Sequence, residues 1–354
     1  MVIRKSERIV EFDILRALAI ILIIFFHIAN NPYIIHYLDI NQSFISILGL
    51  IGLSLFFFMS GFLLQYSYGV IENRADLYTF FRKRITRIYP LYWIFALIII
   101  AVYRLSVLNS VVYLAGIQAL LYPKFVDTLI YPFISTILIF YLLFPIINHY
   151  STTVRKLLTI SLIPALFFIT AITVGGFSSS QVLAYYGVFI VGILAAKLEM
   201  YEKMVNLDVK PTSFLSLIVL ITIILGWTYS YDAQSHSLIL TVCSTNVIGA
   251  LSALTIFYLV ILYVKSSRRV PHTFFFFTAY SSYAVFLLHQ PVFDFVGKNL
   301  NKMPNLANYG LLILIALIPG LFAVGYLMQN IANKTVDSLY ARYSALLVSK
   351  GTRP

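Results

Sequence analysis

Runs of about twenty apolar residues, broken by short polar and basic stretches, recur from one end of this chain to the other. A transmembrane helix needs about 20 consecutive apolar residues, so each such run predicts a membrane span. Ten are expected, over residues 10–30, 44–68, 88–104, 131–149, 157–175, 181–200, 213–230, 237–264, 273–293 and 307–330. The segment 110–122, SVVYLAGIQALLY, is apolar but too short to cross. It is expected to be re-entrant or interfacial, beside a cavity where irregular backbone is tolerated. No linker, low-complexity tract or internal repeat divides the chain, so a single integral-membrane domain over 1–354 is expected.

The basic clusters test this layout. Arg4, Lys5 and Arg8 precede the first run, and Arg74, Arg82, Lys83, Arg84 and Arg87 separate the second from the third. Further clusters are Arg155 and Lys156; Lys197, Lys203 and Lys210; Lys265, Arg268 and Arg269; and Lys334, Arg342, Lys350 and Arg353. With ten spans they all fall on one side, which the positive-inside rule makes cytoplasmic. Both termini are then cytoplasmic and the protein is multi-pass in the plasma membrane. Counting 110–122 as a span would move Arg155 and Lys156 to the outside.

Composition closes off other classes. Hydrophobic residues make up 60% of the chain and charged ones 11%, which no soluble domain of this length needs. The formal net charge of +12 could suggest a nucleic-acid partner, but the cations lie in short clusters between apolar runs rather than along one face. The lipid bilayer is the expected partner, and no nucleic acid. Cys243 is the single cysteine, which excludes an intramolecular disulfide framework and cysteine-based metal sites. The start, MVIRKSERIV, is basic, but Asp13 and Arg16 interrupt what would be the apolar region of a cleavable leader, so the first helix is expected to stay in place.

Within the first run, FDILRALAIILIIFFHIANN, Arg16 and His27 are eleven positions apart. At about 100° per residue they share one helix face, roughly 16 Å apart along the axis. An arginine at bilayer depth costs about 2.5–3.5 kcal/mol on insertion scales and tends to persist where it is used. Asp13, three residues earlier, has the spacing of an intrahelical ion pair and equally that of a helix-start carboxylate. Arg84 and Arg87, three apart in FFRKRITRIYP, enter the third run from the same side as Arg16, so several guanidiniums can converge there on phosphates. Arg82 and Lys83 read better as headgroup-binding decoration. His289, in YSSYAVFLLHQP, is as deep in its run as His27 is in the first, placing both imidazoles at similar heights. Histidine suits general-base work near neutral pH. His36, His149, His236 and His272 fall in loops or at span ends. Ser60 and Gly61, in LSLFFFMSGFLL, permit close helix approach or line an access route.

Taken together, these residues resemble the membrane-bound acyltransferase 3 family. FDILRALA followed by His27 resembles its first-helix pattern, and Ser60, Gly61, Phe62 and Leu63 its second-helix SGFL. Arg84 and Arg87 before YPLYW resemble its RxxR motif, and Ser281, Tyr283, His289 and Pro291 its late S-x-Y…H-x-P pattern. The likeness spans nearly the whole chain in motif order. In YPFISTILIFYLLFP the chain keeps Tyr141 and Pro145, but Ile137 stands where many members carry a glutamate, as in the subset that acts on surface polysaccharides.

The resemblance implies acyl transfer, most often of acetyl, from cytoplasmic acyl-CoA to a hydroxyl of an extracytoplasmic carbohydrate or lipid-linked sugar. It implies His27, Arg16 and Asp13 as catalytic residues, Arg84, Arg87 and Ser60 as donor-binding, and His289, Ser281 and Tyr283 as supporting. No permanently bound cofactor, metal or fused SGNH-type esterase domain is expected, with acyl-CoA as co-substrate. Two other classes remain open on the residues alone. A proton-coupled carrier or glycan flippase could use an intramembrane arginine and histidine, although no paired broken helices are found. A non-catalytic membrane scaffold or lipid receptor is the other.

Overall fold

A computed structural model describes residues 8–31, 42–126, 132–206, 238–300, 302 and 309–349. The described residues form helices and no strand, with a single isolated bridge between Pro123 and Phe177. We label the helices α1 (Val10–Ala29), α2 (Gln42–Tyr68), α3 (Arg74–Tyr103), α4 (Val107–Ala115), α5 (Gln118–Leu121) and α6 (Pro132–Tyr150). The remainder are α7 (Val154–Thr173), α8 (Ser180–Lys197), α9 (Met200–Asn206), α10 (Leu238–Ser266), α11 (His272–Leu300) and α12 (Gly310–Ser349).

Among the described residues, eight of these helices are long and apolar enough to cross a membrane. The expected span 273–293 is also a long helix, the 29-residue α11, but it is not one of those eight. The expected span 213–230 lies outside the described residues, as do His36 and His236. Large apolar side chains face outward on α3 (Ile94, Leu97, Ile98), α7 (Leu158, Leu162, Ile163, Leu166) and α12 (Leu312, Leu327, Ile331). In water that surface would aggregate; in lipid it is the solvated face.

Hydropathy marks where a helix enters the bilayer, not where it begins. Thus α3 starts fourteen residues before the expected span, with the Asn73 side chain accepting from the Asp76 amide to cap it. That extension carries Arg82, Lys83, Arg84 and Arg87 on rigid helix. At the other end α12 runs on to Ser349, well past the apolar run.

The short segment 110–122 falls in two helices, the nine-residue α4, which begins ahead of it at Val107, and the four-residue α5, separated by a turn at Gly116, and neither is long enough to span. The last carbonyls of any helix lack intrahelical partners. Here the YPLYW stretch supplies them. Tyr89 Oη donates to Ala115 O at 2.8 Å, Tyr92 Oη to Tyr113 O at 2.6 Å, and Trp93 Nε1 to Leu114 O at 3.0 Å. Three ring donors on α3 therefore dock the end of α4 beside the arginine motif.

Helix association in lipid rests on close packing rather than on water exclusion. The tightest crossing, α2 on α8, is built from glycines facing backbone. A Cβ on Gly61 would lie 2.1 Å from Phe189 O, and one on Gly192 would lie 2.2 Å from Phe58 O. Gly61 of the SGFL stretch is thus a packing residue, while its neighbour Ser60 faces elsewhere.

Two apolar cores result, and α1 joins them. Phe12, Ile14, Leu15 and Ala19 belong to the core shared with α2, α6, α8 and α10, whereas Ile20, Ile23, Ile24 and Ile28 belong to that of α3, α11 and α12. At its first turn α1 is tied to α9 by Tyr201 Oη donating to Glu11 Oε1 at 3.4 Å. Burial, reinforced by the Glu11 carboxylate, pushes the Tyr201 phenol up to about 12, so it stays a donor. Near its last turn Asn31 Nδ2 donates to Phe293 O at 3.2 Å, fastening α1 to α11. The helix bearing Arg16 and His27 is thereby pinned at both ends.

Candidate active site

Where α1, α2, α3, α6 and α11 meet they enclose a cavity of about 390 Å³. Among the described residues its wall carries four arginines, Arg8, Arg16, Arg84 and Arg87, against one carboxylate, Asp13. Ser60, Tyr66, Ser67, Tyr141, Ser282 and Tyr283 add polar groups, and Phe56, Phe133, Ile134, Ile137 and Phe286 supply the apolar part. A polar anchor beside an apolar slot is the usual make-up of a small-molecule site of this size.

The arginines arrive from three places. Arg16 is one turn along α1 from Asp13, and its Nη1 lies 3.3 Å from Asp13 Oδ1. Arg8 precedes α1 and places Nε 2.6 Å from Asp13 Oδ2, with its guanidinium 3.8 Å above the Phe276 ring. Asp13 is nearly fully buried and so serves two cations at once. Arg84 and Arg87 come from α3. Arg84 is ringed by Tyr68, Phe80 and Tyr141, each with its ring centre within 5.8 Å, and its buried Nε has no partner among the described residues. Arg87 presents its side chain to the cavity one helical turn further in. Guanidinium donors left unmade inside protein favour an anionic ligand that can accept them.

The histidines form a second group. His27 and His289 stand with ring centroids 4.8 Å apart, so the two imidazoles expected at similar depth are in contact. Neither lines the cavity. Phe286 does, and its ring is 5.5 Å from that of His289, while Phe133 packs 4.7 Å from Phe286. The apolar end of the arginine cavity therefore stops at Phe133 and Phe286, with the histidines directly behind.

Of the remaining expected site residues, Ser60 is on the cavity wall, 3.5 Å through Oγ from Tyr141 Oη. Tyr283 is on the wall too, its hydroxyl donating to Ile88 O at 2.9 Å and so linking α11 to α3 at the arginine level. Ser281 is fully buried, with Oγ donating back to Phe277 O at 2.7 Å and its backbone packed against Gly325 of α12; Ser282 occupies the wall instead. Ile137 lines the cavity one turn from Tyr141, so the position where the resemblance leads to a glutamate shares the cavity with the arginines.

Arg8 is a cavity residue that sequence reasoning did not single out, and Tyr141 is one that it named only as a kept residue of its stretch, with no site role. Arg8 reads as one more cation of a topology cluster, and its pairing with Asp13 depends on the extended backbone at Ile9 just before α1. Tyr141 had a signal, since its stretch keeps a tyrosine and a proline four residues apart.

A family model described as an acyltransferase domain matches residues 9–330, essentially the whole chain. The chain belongs to the acyltransferase 3 family. No curated protein and no solved structure matches it. Membership in acyltransferase 3 makes it a multi-pass membrane acyltransferase, and every cavity residue named above except Arg8 lies within the matched region.

Proposed function

We propose that the protein transfers an acyl group, acetyl in the first instance, from acyl-CoA on the cytoplasmic side to a hydroxyl of a carbohydrate or lipid-linked sugar outside the plasma membrane. The observation that carries this reading is the order of the groups along the bundle. Four arginines line a cavity at the basic end of the bundle, and the His27–His289 pair stands one side chain beyond its apolar end.

CoA is a polyanion joined to its thioester by a slim, uncharged arm, and the two halves of the site suit those two parts. Arg16, Arg84 and Arg87 hold phosphate oxygens, bidentately where geometry allows. The arm lies along Phe56, Ile134 and Ile137 and brings the thioester to Phe286. The acceptor hydroxyl oxygen attacks the thioester carbonyl carbon while His27 takes the hydroxyl proton. The C–S bond breaks, CoA leaves as the thiolate, and the proton on His27 returns to it. Asp13 offsets the buried charge of Arg16 and Arg8, Ser60 and Tyr283 border the donor path, and Ser281 supports α11 from behind.

Thioester consumption separates this reading from a carrier, which moves its cargo without cleaving the donor. Membranes containing the protein and its native acceptor, given acetyl-CoA, are expected to release free CoA faster than membranes of the Arg84→Ala variant. Glycan export with no CoA released would establish the carrier instead.

A further inference from the structure

His289 carries an acceptor that the fold leaves unmade. Its Nδ1 lies 3.2 Å from Val285 O, one turn back on α11. A carbonyl oxygen can only accept, so the proton of that hydrogen bond resides on Nδ1. In the neutral ring this leaves Nε2 with its lone pair. Nε2 is buried and has no partner among the described residues, and the residue as a whole is 1% exposed. An unmade acceptor in apolar surroundings is costly, and here those surroundings are the rings of Phe286 and Phe293 at 5.5 and 6.0 Å. The remaining ring against it is His27, tilted 60° to it with centroids 4.8 Å apart. Among the described residues Nε2 has no hydrogen bond, from His27 or from any other group.

We propose that His289 is the positioning residue for His27. The two rings are in contact but not hydrogen-bonded as they stand, and a small rotation of either lets His289 Nε2 accept the single N–H of the His27 imidazole, leaving the other His27 nitrogen unprotonated and directed away from His289 to where the acceptor hydroxyl arrives. The Val285 carbonyl fixes the tautomer of His289, and His289 fixes the tautomer of His27, a relay of orientation that needs no carboxylate. The Phe26 ring, edge-on to His27 at 4.9 Å, limits the rotation that would undo it. The link from Asn31 to Phe293 O holds α1 and α11 in register one turn beyond. This inference rests on His27 being the base of the transfer.

Nitrogen-15 solid-state NMR of histidine-labelled protein in lipid bilayers at neutral pH reads the tautomers directly, with His27→Phe and His289→Phe assigning the two rings. The expected result is His289 protonated at Nδ1 with a hydrogen-bonded, unprotonated Nε2, and His27 as one tautomer that becomes a mixture in His289→Phe. Transfer from labelled acetyl-CoA in native membranes should fall at least about tenfold in His289→Phe, in kcat and not in the KM for donor. His289→Gln, whose amide oxygen can accept the same proton, should recover part of it. A wild-type spectrum with His289 protonated at Nε2, or a His27 signal unchanged in His289→Phe, overturns the pairing even if the variants fold poorly, because the first is read on the unaltered protein. Transfer retained in His27→Ala overturns the base reading instead, whatever the tautomers.

Discussion

Asp13 and Arg16, one turn apart on α1, form an ion pair of 3.3 Å inside the bundle, and the second carboxylate oxygen of Asp13 is taken by Arg8 at 2.6 Å. One carboxylate thus neutralises part of a cavity wall whose other charged groups, among the described residues, are arginines. Removing one partner of a buried pair leaves the other uncompensated, at about 3–5 kcal/mol when the burial is complete. Arg16 keeps 24% of its side-chain surface and Arg8 50%, so the cost here is smaller. Asp13→Asn should lower stability by about 1–3 kcal/mol. It should not weaken CoA binding, because it makes the cavity more positive. Unfolding in detergent and equilibrium CoA binding check the two halves.

Arg84 and Arg87 are expected to act on donor affinity. Arg84→Ala and Arg87→Ala should each raise the KM for acetyl-CoA by about 10- to 100-fold, the loss of one charge-assisted contact. Lysine should restore little at either position, since an ammonium cannot grip two phosphate oxygens in one plane. Initial rates of CoA release over a range of donor concentrations measure this.

How much of this could be read from the sequence divides along physical lines. Membrane depth is written in hydropathy, so the α1, α2, α6, α7, α8 and α10 spans come out within a few residues. The 110–122 segment is likewise legible as too short to cross. The start of α3 outside the bilayer is set by its Asn73 cap, which hydropathy does not register, and the extension of α12 to Ser349 likewise lies beyond the apolar run. Within the site, residues sharing one helix were readable from periodicity: Asp13 with Arg16, and Arg84 with Arg87. The contact of His27 with His289 followed only as a matching height, since lateral neighbours are set by packing. Ser282 rather than Ser281 reaching the cavity, and Arg8 joining Asp13, depend on helix rotation and on the extended backbone before α1, which no pattern in the chain specifies.

Ile137 offers a test of the cavity that the arginines line. Ile137→Glu would place a carboxylate on the cavity surface one turn from Tyr141, whose ring neighbours Arg84. It should compete with donor phosphates for the guanidiniums and weaken CoA binding by about tenfold, the scale of one partly screened charge pair. Isothermal binding of CoA to wild type and variant decides it. Tighter binding in the variant would mean that the phosphates do not sit in this cavity.

Gly61 tests the fold rather than the chemistry. With Phe189 O only 2.1 Å from where a Cβ would be, Gly61→Ala forces α2 and α8 apart and should cost about 1–3 kcal/mol. Gly192→Ala meets Phe58 O in the same crossing, and the double variant should cost less than the sum of the two, because one separation relieves both clashes. Thermal unfolding of the four proteins measures the coupling.

The central claim is that His27 completes a transfer whose donor enters from the arginine side. The most direct measurement supplies radiolabelled acetyl-CoA to the cytoplasmic face of membrane vesicles from the native host, which still hold the acceptor, and follows label into glycan and glycolipid fractions. Wild type should label one of these fractions, while His27→Ala should lose about 100- to 10,000-fold of that rate and still bind CoA. Equal labelling by wild type and His27→Ala would contradict the account.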